Sequence, residues 1–218
     1  MQRAVASRQQ SLLLQRPDLN VFQSVSFVPG EDADDANGHG THVAGTIGAL
    51  DNDIGVVGVA PGVRLWNLKV IGPTSASWNN FLAAMDYIAQ HSNEVSVINA
   101  SLTNNGIPGA PAVAIRQAIS NIVSFGVVFV TTARNFLFDV FGEDEIYGNE
   151  DDCIPAAIPE ALTVSAMEDR DGLPGDDNIA YFSNYSVSNA PDHHVTSPGK
   201  GIDLAAPGVA IDSTYEPV

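Results

Sequence analysis

Nine consecutive residues, Gly38-His39-Gly40-Thr41-His42-Val43-Ala44-Gly45-Thr46, concentrate the reactive chemistry of this sequence. An imidazole both accepts and releases a proton near neutral pH, so His39 among small residues is a site for proton transfer. The glycines let backbone approach closely, and the Ala/Gly spacing lets a helix pack tightly beneath other elements, leaving the His39 ring at a cleft. His42 follows at i+3. Taken alone, the pair fits a proton relay, a structural histidine at a helix start, or a metal pair aided by nearby acids. Helix-borne zinc sites more commonly space their histidines i, i+4.

The elements that must position this chemistry can be read from periodicity. Val63 to Val70 predicts a strand, and Ser75 to His91 a helix with Trp78, Leu82, Met85 and Ile88 at helical spacing behind a serine cap. Val95 to Ala100 predicts a second strand. Val113, Ile115, Ala118, Ile119 and Ile122 predict a helix ended by Gly126, and Val127 to Thr132 a buried strand. Shorter strands are expected at Leu162 to Ala166 and Ile202 to Ala206. Strands alternating with helices imply a parallel sheet with helices on both faces and a ligand site beyond the carboxyl ends of the strands, where His39, Ser101 and Asn135 could converge. No repeat or linker divides the chain, so residues 1–218 are expected to form a single domain.

Composition narrows the function classes. Nine basic residues face 26 acidic ones, a net charge of −17 that argues against nucleic acid and for a solvated acidic surface. The runs Glu31-Asp32-Ala33-Asp34-Asp35 and Glu143-Asp144-Glu145 are read as surface charge. With 44% hydrophobic and 16% charged residues, the chain has the balance of a soluble α/β protein. No apolar run approaches the roughly 18 residues of a membrane span. Met1 to Arg16 holds only Leu12-Leu13-Leu14, too short for the apolar region of a signal peptide. Cys153, the only cysteine, permits no internal disulfide and is expected to be inert, with no electropositive motif around it.

Together with Pro17-Asp18-Leu19, Gly58-Val59-Ala60-Pro61 and Leu204-Ala205-Ala206-Pro207-Gly208, the His39 motif resembles the subtilisin-like serine proteases from about Pro17 to Thr214. The resemblance implies a three-layer α/β/α fold with a mostly parallel central sheet, a peptide or protein substrate, and secretion. It implies that His39 is the general base of an Asp-His-Ser triad, that His42 is structural, and that Asn135 donates to the oxyanion of the tetrahedral intermediate. The family usually reads Ser-Leu-Gly and Ala-Gly-Asn on the two walls of its primary specificity pocket. Here those segments are Ser101-Leu102-Thr103 and Ala133-Arg134-Asn135. Side chains on both walls are expected to narrow the pocket or, with Arg134 turned inward, to favour a small or acidic substrate side chain. The stretch Leu50 to Val56 resembles the family's calcium loop, which implies a site for Ca²⁺ from the carbonyls of Leu50, Ile54 and Val56 and the side chains of Asn52 and Asp18. Hard oxygen ligands without Cys or His suit that ion.

Two parts of the triad are not recognisable. The family's aspartate opens an Asp-Ser/Thr-Gly turn about nine residues before the Asp of Pro-Asp-Leu, a count that lands on Gln9. The nucleophile's Gly-Thr-Ser segment does not occur by Val218, and Ser213 matches the strand end ahead of it. The expectation is an incomplete catalytic domain, inactive as it stands, with a non-catalytic peptide-binding relative as the alternative. Without the serine helix an apolar groove is expected to promote self-association.

Overall fold

A computed structural model describes residues 17–72, 77–106, 109–169, 172–173, 175, 177–187 and 201–214. Gln9, the polar stretch Met1 to Gln10 and the serine cap at Ser75 lie outside these residues. The chain divides into two compact units, one running to Phe81 and including Asp212 to Thr214, the other running from Leu82 to Ile211.

In the first unit, strand β1 (Val21–Ser26) pairs in parallel with β2 (Leu65–Lys69). Between them lies helix α1 (His39–Gly48), which carries the histidine motif. A helix leaves its last carbonyls without internal partners. Here the Gly58-Val59-Ala60-Pro61 motif supplies them, as the amides of Val59, Ala60 and Gly62 donate to Thr46, Ile47 and Gly48 at 2.8–3.1 Å. The motif is therefore a C-terminal dock for the helix.

In the second unit, β3 (Val97–Ala100), β5 (Val128–Thr132), β7 (Leu162–Glu168) and β9 (Leu204–Pro207) run parallel in that spatial order, with β8 (Asn178–Ile179) antiparallel to β7. A short antiparallel pair joins β4 (Asn104–Asn105) to β6 (Cys153–Ile154). Helix α2 (Trp78–Gln90), whose first turn belongs to the first unit, buries Phe81, Ala84, Met85 and Ile88. Helix α3 (Ala110–Ser124) buries Ile115, Ile119 and Ile122 and stops at Gly126, whose φ of 86° lies in the left-handed region.

Val113 is 65% exposed, on the side of α3 away from its buried stripe. One expectation about burial needs correction. The strand at Val127 to Thr132 is not buried throughout. It buries Val127, Phe129 and Thr131, whereas Val128 is 45% exposed. Its register partner Val97 is 58% exposed, and Leu204 on β9 is 49% exposed. One face of this parallel sheet therefore presents a row of apolar side chains to solvent, although such sheets are ordinarily covered on both faces.

Candidate active site

His39 is the first residue of α1 and is exposed to solvent. Gly38 precedes it at φ 87°, a turn that a residue with a Cβ adopts only at a cost. The chain reaches this turn along a segment tied to β2. Asn67 Nδ2 donates to the Ala33 carbonyl at 2.7 Å, and Lys69 Nζ donates to the Asp34 carbonyl at 2.8 Å while pairing with Glu31 at 2.9 Å.

Asp35 then closes the start of the helix. Its Oδ2 accepts from the Thr41 amide at 2.7 Å and the Thr41 hydroxyl at 2.8 Å, and its Oδ1 from the Gly38 amide at 3.0 Å and the Asn37 amide at 3.2 Å. Burial opposes the charge of this carboxylate, but the hydrogen bonds outweigh it and hold its pKa below the ordinary value. Part of the run read as surface charge is thus the clamp beneath the candidate base. Among the described residues no hydrogen bond reaches the His39 ring.

Two hydroxyls secure the inner side of α1. Ser213 Oγ donates to the His42 carbonyl at 2.5 Å, and Thr214 Oγ1 to the Thr41 carbonyl at 2.8 Å. A Cβ at Gly45 would collide with Thr214 Oγ1 and stand 2.6 Å from Ser213 Oγ and 2.7 Å from the Thr214 amide, so only glycine fits there. Ser213 lies in an irregular segment beyond β9 rather than at a strand end, and its hydroxyl serves structure.

In the second unit, the wall segments leave adjacent parallel strands, Ser101-Leu102-Thr103 after β3 and Ala133-Arg134-Asn135 after β5. Ser101 Oγ accepts from Asn99 Nδ2 at 2.9 Å. Asn135 is exposed, and among the described residues its amide makes no side-chain hydrogen bond, so it is available to a developing oxyanion. Asn184, fully buried, shapes this turn. Its Oδ1 accepts from the Phe136 and Phe138 amides at 3.0 and 3.2 Å, and its backbone N–H donates to the Arg134 carbonyl at 2.9 Å.

Cys153 lies against both walls. Burial pushes its thiol pKa up, while the Thr103 hydroxyl and the Arg134 guanidinium beside it act the other way. It is 1% exposed, in keeping with an inert residue. The expectation that nothing electropositive surrounds it is corrected by Arg134. Sequence separation hid this cluster, because Thr103 and Arg134 precede the cysteine by long stretches of chain.

The proposed calcium loop folds against the Pro17-Asp18-Leu19 motif. Asp18 is 6% exposed, its carbonyl accepts from the Leu50 amide at 2.8 Å, and its Oδ2 lies 3.7 Å from where a Cβ on Gly55 would stand. Asn52 Oδ1 accepts from the Ile54 amide at 3.1 Å, and both Ile54 and Val56 keep some solvent exposure. Asp18 thus places a buried carboxylate beside this turn, and an oxygen of that kind suits a hard cation. Among the described residues no three His, Cys, Asp or Glu side chains form a metal-binding group. Among the same residues no helix is long and apolar enough to cross a membrane.

Comparison with known proteins agrees with this layout. The chain is 37% identical over 201 residues to Subtilisin Savinase of Lederbergia lenta, a match covering 91% of this chain and 61% of that protein. Among solved structures, it resembles the S41 psychrophilic protease with a TM-score of 0.74 at 28% identity, covering 94% of this chain and 65% of that one. Sphericase follows with a TM-score of 0.71 at 29% identity, covering 93% and 65%. The chain thus spans somewhat under two thirds of these relatives. The likeness shows the expected α/β/α fold with a mostly parallel central sheet. Residues 18–217 match the subtilase family, peptidase S8, and the chain, with its histidine motif opening a helix, belongs to that family.

Proposed function

We propose that this protein acts as a serine endopeptidase of the subtilisin type on extended peptide or protein substrates outside the cell. The observation that carries the reading is an exposed imidazole on the first turn of a helix locked at both ends, in a chain of the subtilase family. In this reaction His39 takes the proton from a serine hydroxyl as its oxygen attacks the scissile carbonyl, then returns the proton to the leaving amine. The Asn135 amide donates to the oxyanion formed in between. Ser101, Leu102, Thr103 and Arg134 contact the substrate side chain next to the scissile bond.

Neither an Asp-Ser/Thr-Gly turn nor a Gly-Thr-Ser segment occurs in these 218 residues, which are proposed to bind peptide without cleaving it. Casein hydrolysis tests this. The chain as given should show none, and the chain extended by the coding sequence flanking it at its own locus should be active, with His39→Ala lowering turnover by up to roughly 10⁶-fold. An extended chain that binds peptides but never cleaves them would instead favour a peptide-holding relative. Secretion is checked by fractionating the native host.

Calcium is proposed to bind the carbonyls of Leu50, Ile54 and Val56 with the side chains of Asn52 and Asp18. The ion would supply charge compensation for Asp18 and rigidity to the turn that follows α1. A ligand present at 100 times its Kd stabilises by about 2.7 kcal/mol, so added calcium should raise the melting temperature, and Asp18→Asn should abolish the rise. The apolar sheet face is proposed to drive self-association of the isolated chain.

A further inference from the structure

Arg134 carries a combination of features that the fold alone does not require. It sits at φ 88°, a region where side-chain-bearing residues are strained, and it is held there through its amide, which donates to Thr132 Oγ1 at 3.2 Å, and its carbonyl, which accepts from Asn184. Its guanidinium is stacked 4.4 Å over the Phe136 ring. Its Nη1 is buried and has no hydrogen-bond partner. In a chain with 26 acidic side chains and nine basic ones, a sequestered guanidinium nitrogen without an acceptor is conspicuous. Buried donors of this kind are ordinarily satisfied, and a charged one gains most from a carboxylate, whose two oxygens match the planar fork.

Thr103 and Cys153 complete the surroundings. The hydroxyl and the thiol lie together beside the guanidinium, between the segments that end β3 and β5. The group therefore combines one planar cation, one hydroxyl and one neutral thiol, with the Phe136 ring beneath the cation. A large apolar side chain entering here would leave Nη1 unpaired, whereas a carboxylate would satisfy it.

From this geometry we infer that Arg134 selects substrates with a side-chain carboxylate, aspartate or glutamate, on the residue immediately before the scissile bond. The inference rests on the protease reading, because it takes the Ser101–Thr103 and Arg134 segments as walls of the primary substrate pocket. Arg134 is a specificity-determining residue in this scheme, its guanidinium lying over the Phe136 ring.

Binding rather than cleavage provides the test, since it needs no nucleophile. Dye-labelled tetrapeptide amides, identical except for a final Glu, Asp, Gln, Asn, Phe or Ala, are titrated with the 218-residue chain at low salt and followed by fluorescence anisotropy. The acidic peptides are expected to bind on the order of 10- to 100-fold tighter than their Gln and Asn isosteres, the scale of a hydrogen bond to a charged group. Arg134→Lys should keep part of the preference. Arg134→Gly should remove it while peptides still bind, and glycine suits the backbone at this position, so loss of folding is not expected to obscure the result. Equal binding of Glu and Gln peptides, or a preference that survives Arg134→Gly, overturns the inference and leaves the protease reading intact. Failure of every peptide to bind refutes the proposal that these 218 residues hold peptide, and the inference with it.

Discussion

Replacing Asp35 with alanine should loosen the start of α1 and, with it, the candidate base. The carboxylate accepts four hydrogen bonds, from the Thr41 amide and hydroxyl and the Gly38 and Asn37 amides. Removing a capping acceptor costs about 1–2 kcal/mol, and losing a negative charge near a helix N-terminus a further 0.3–1 kcal/mol. Thr41 is itself 2% exposed, so its amide and hydroxyl are poorly placed to recruit water, which adds about 1 kcal/mol or more. The sum is a destabilisation of roughly 2–4 kcal/mol. Urea unfolding gives the magnitude, and hydrogen exchange at Thr41 and His42 gives the location. The wild-type contribution has a defined pH window, because a carboxylate whose folded pKa is lowered stabilises above its unfolded value of 3.8 and loses that stabilisation as pH falls through the lower folded value. In an enzymatically active extended chain, Asp35→Ala should lower kcat more than KM, whereas Asp35→Asn should retain part of the cap. An unchanged unfolding midpoint with unchanged exchange at Thr41 would refute the clamp.

Gly45→Ala should destabilise despite alanine's better helix propensity of about 1 kcal/mol, because the new methyl meets the Thr214 backbone; overpacking of about 1–3 kcal/mol on top of displaced hydroxyl bonds should appear in urea melts. Asp152 is 4% exposed, and burial, reinforced by the Asp151 and Asp144 charges, raises its pKa from 3.8 to about 6 against the opposing Gly148 and Asn149 amides. A raised carboxylate pKa means that the folded state holds the proton more tightly, so this residue's contribution to stability declines as pH rises from about 4 to 6. Asp152→Asn should flatten that part of the stability profile relative to wild type. The apolar sheet face predicts that the isolated chain binds a hydrophobic dye and that sedimentation velocity shows concentration-dependent association; a dye-silent monomer would count against it.

How much of this was legible before the structure depended on how local each signal is. The parallel strands β2, β3, β5, β7 and β9 and the helices α2 and α3 announce themselves by apolar periodicity, with ends displaced by a few residues. Strand β1 escaped notice because VFQSVS is half-buried and mixes Gln and Ser with its apolar residues. The two-residue strands β4, β6 and β8 are set by partners distant in sequence, which no window reveals. At the candidate site, motif resemblance alone singled out His39, Asn135 and the two segments after β3 and β5. Asp35 was hidden inside an acidic run, although an aspartate shortly before a helix-opening glycine is a capping signal. Asn184 gives no such cue, since its work lies on a turn that precedes it by some 48 residues.

The contacts between α1 and Ser213–Thr214 join residues 167 to 173 positions apart. Loop-closure entropy must be met before such distant contacts contribute, and non-local contacts of this kind slow folding. During synthesis, the helix that presents the imidazole cannot receive this lock until residue 214 has cleared the ribosome. Completion of the histidine helix is thereby tied to the timing of translation, and a nascent chain holding only the histidine motif carries its imidazole on an unsecured turn.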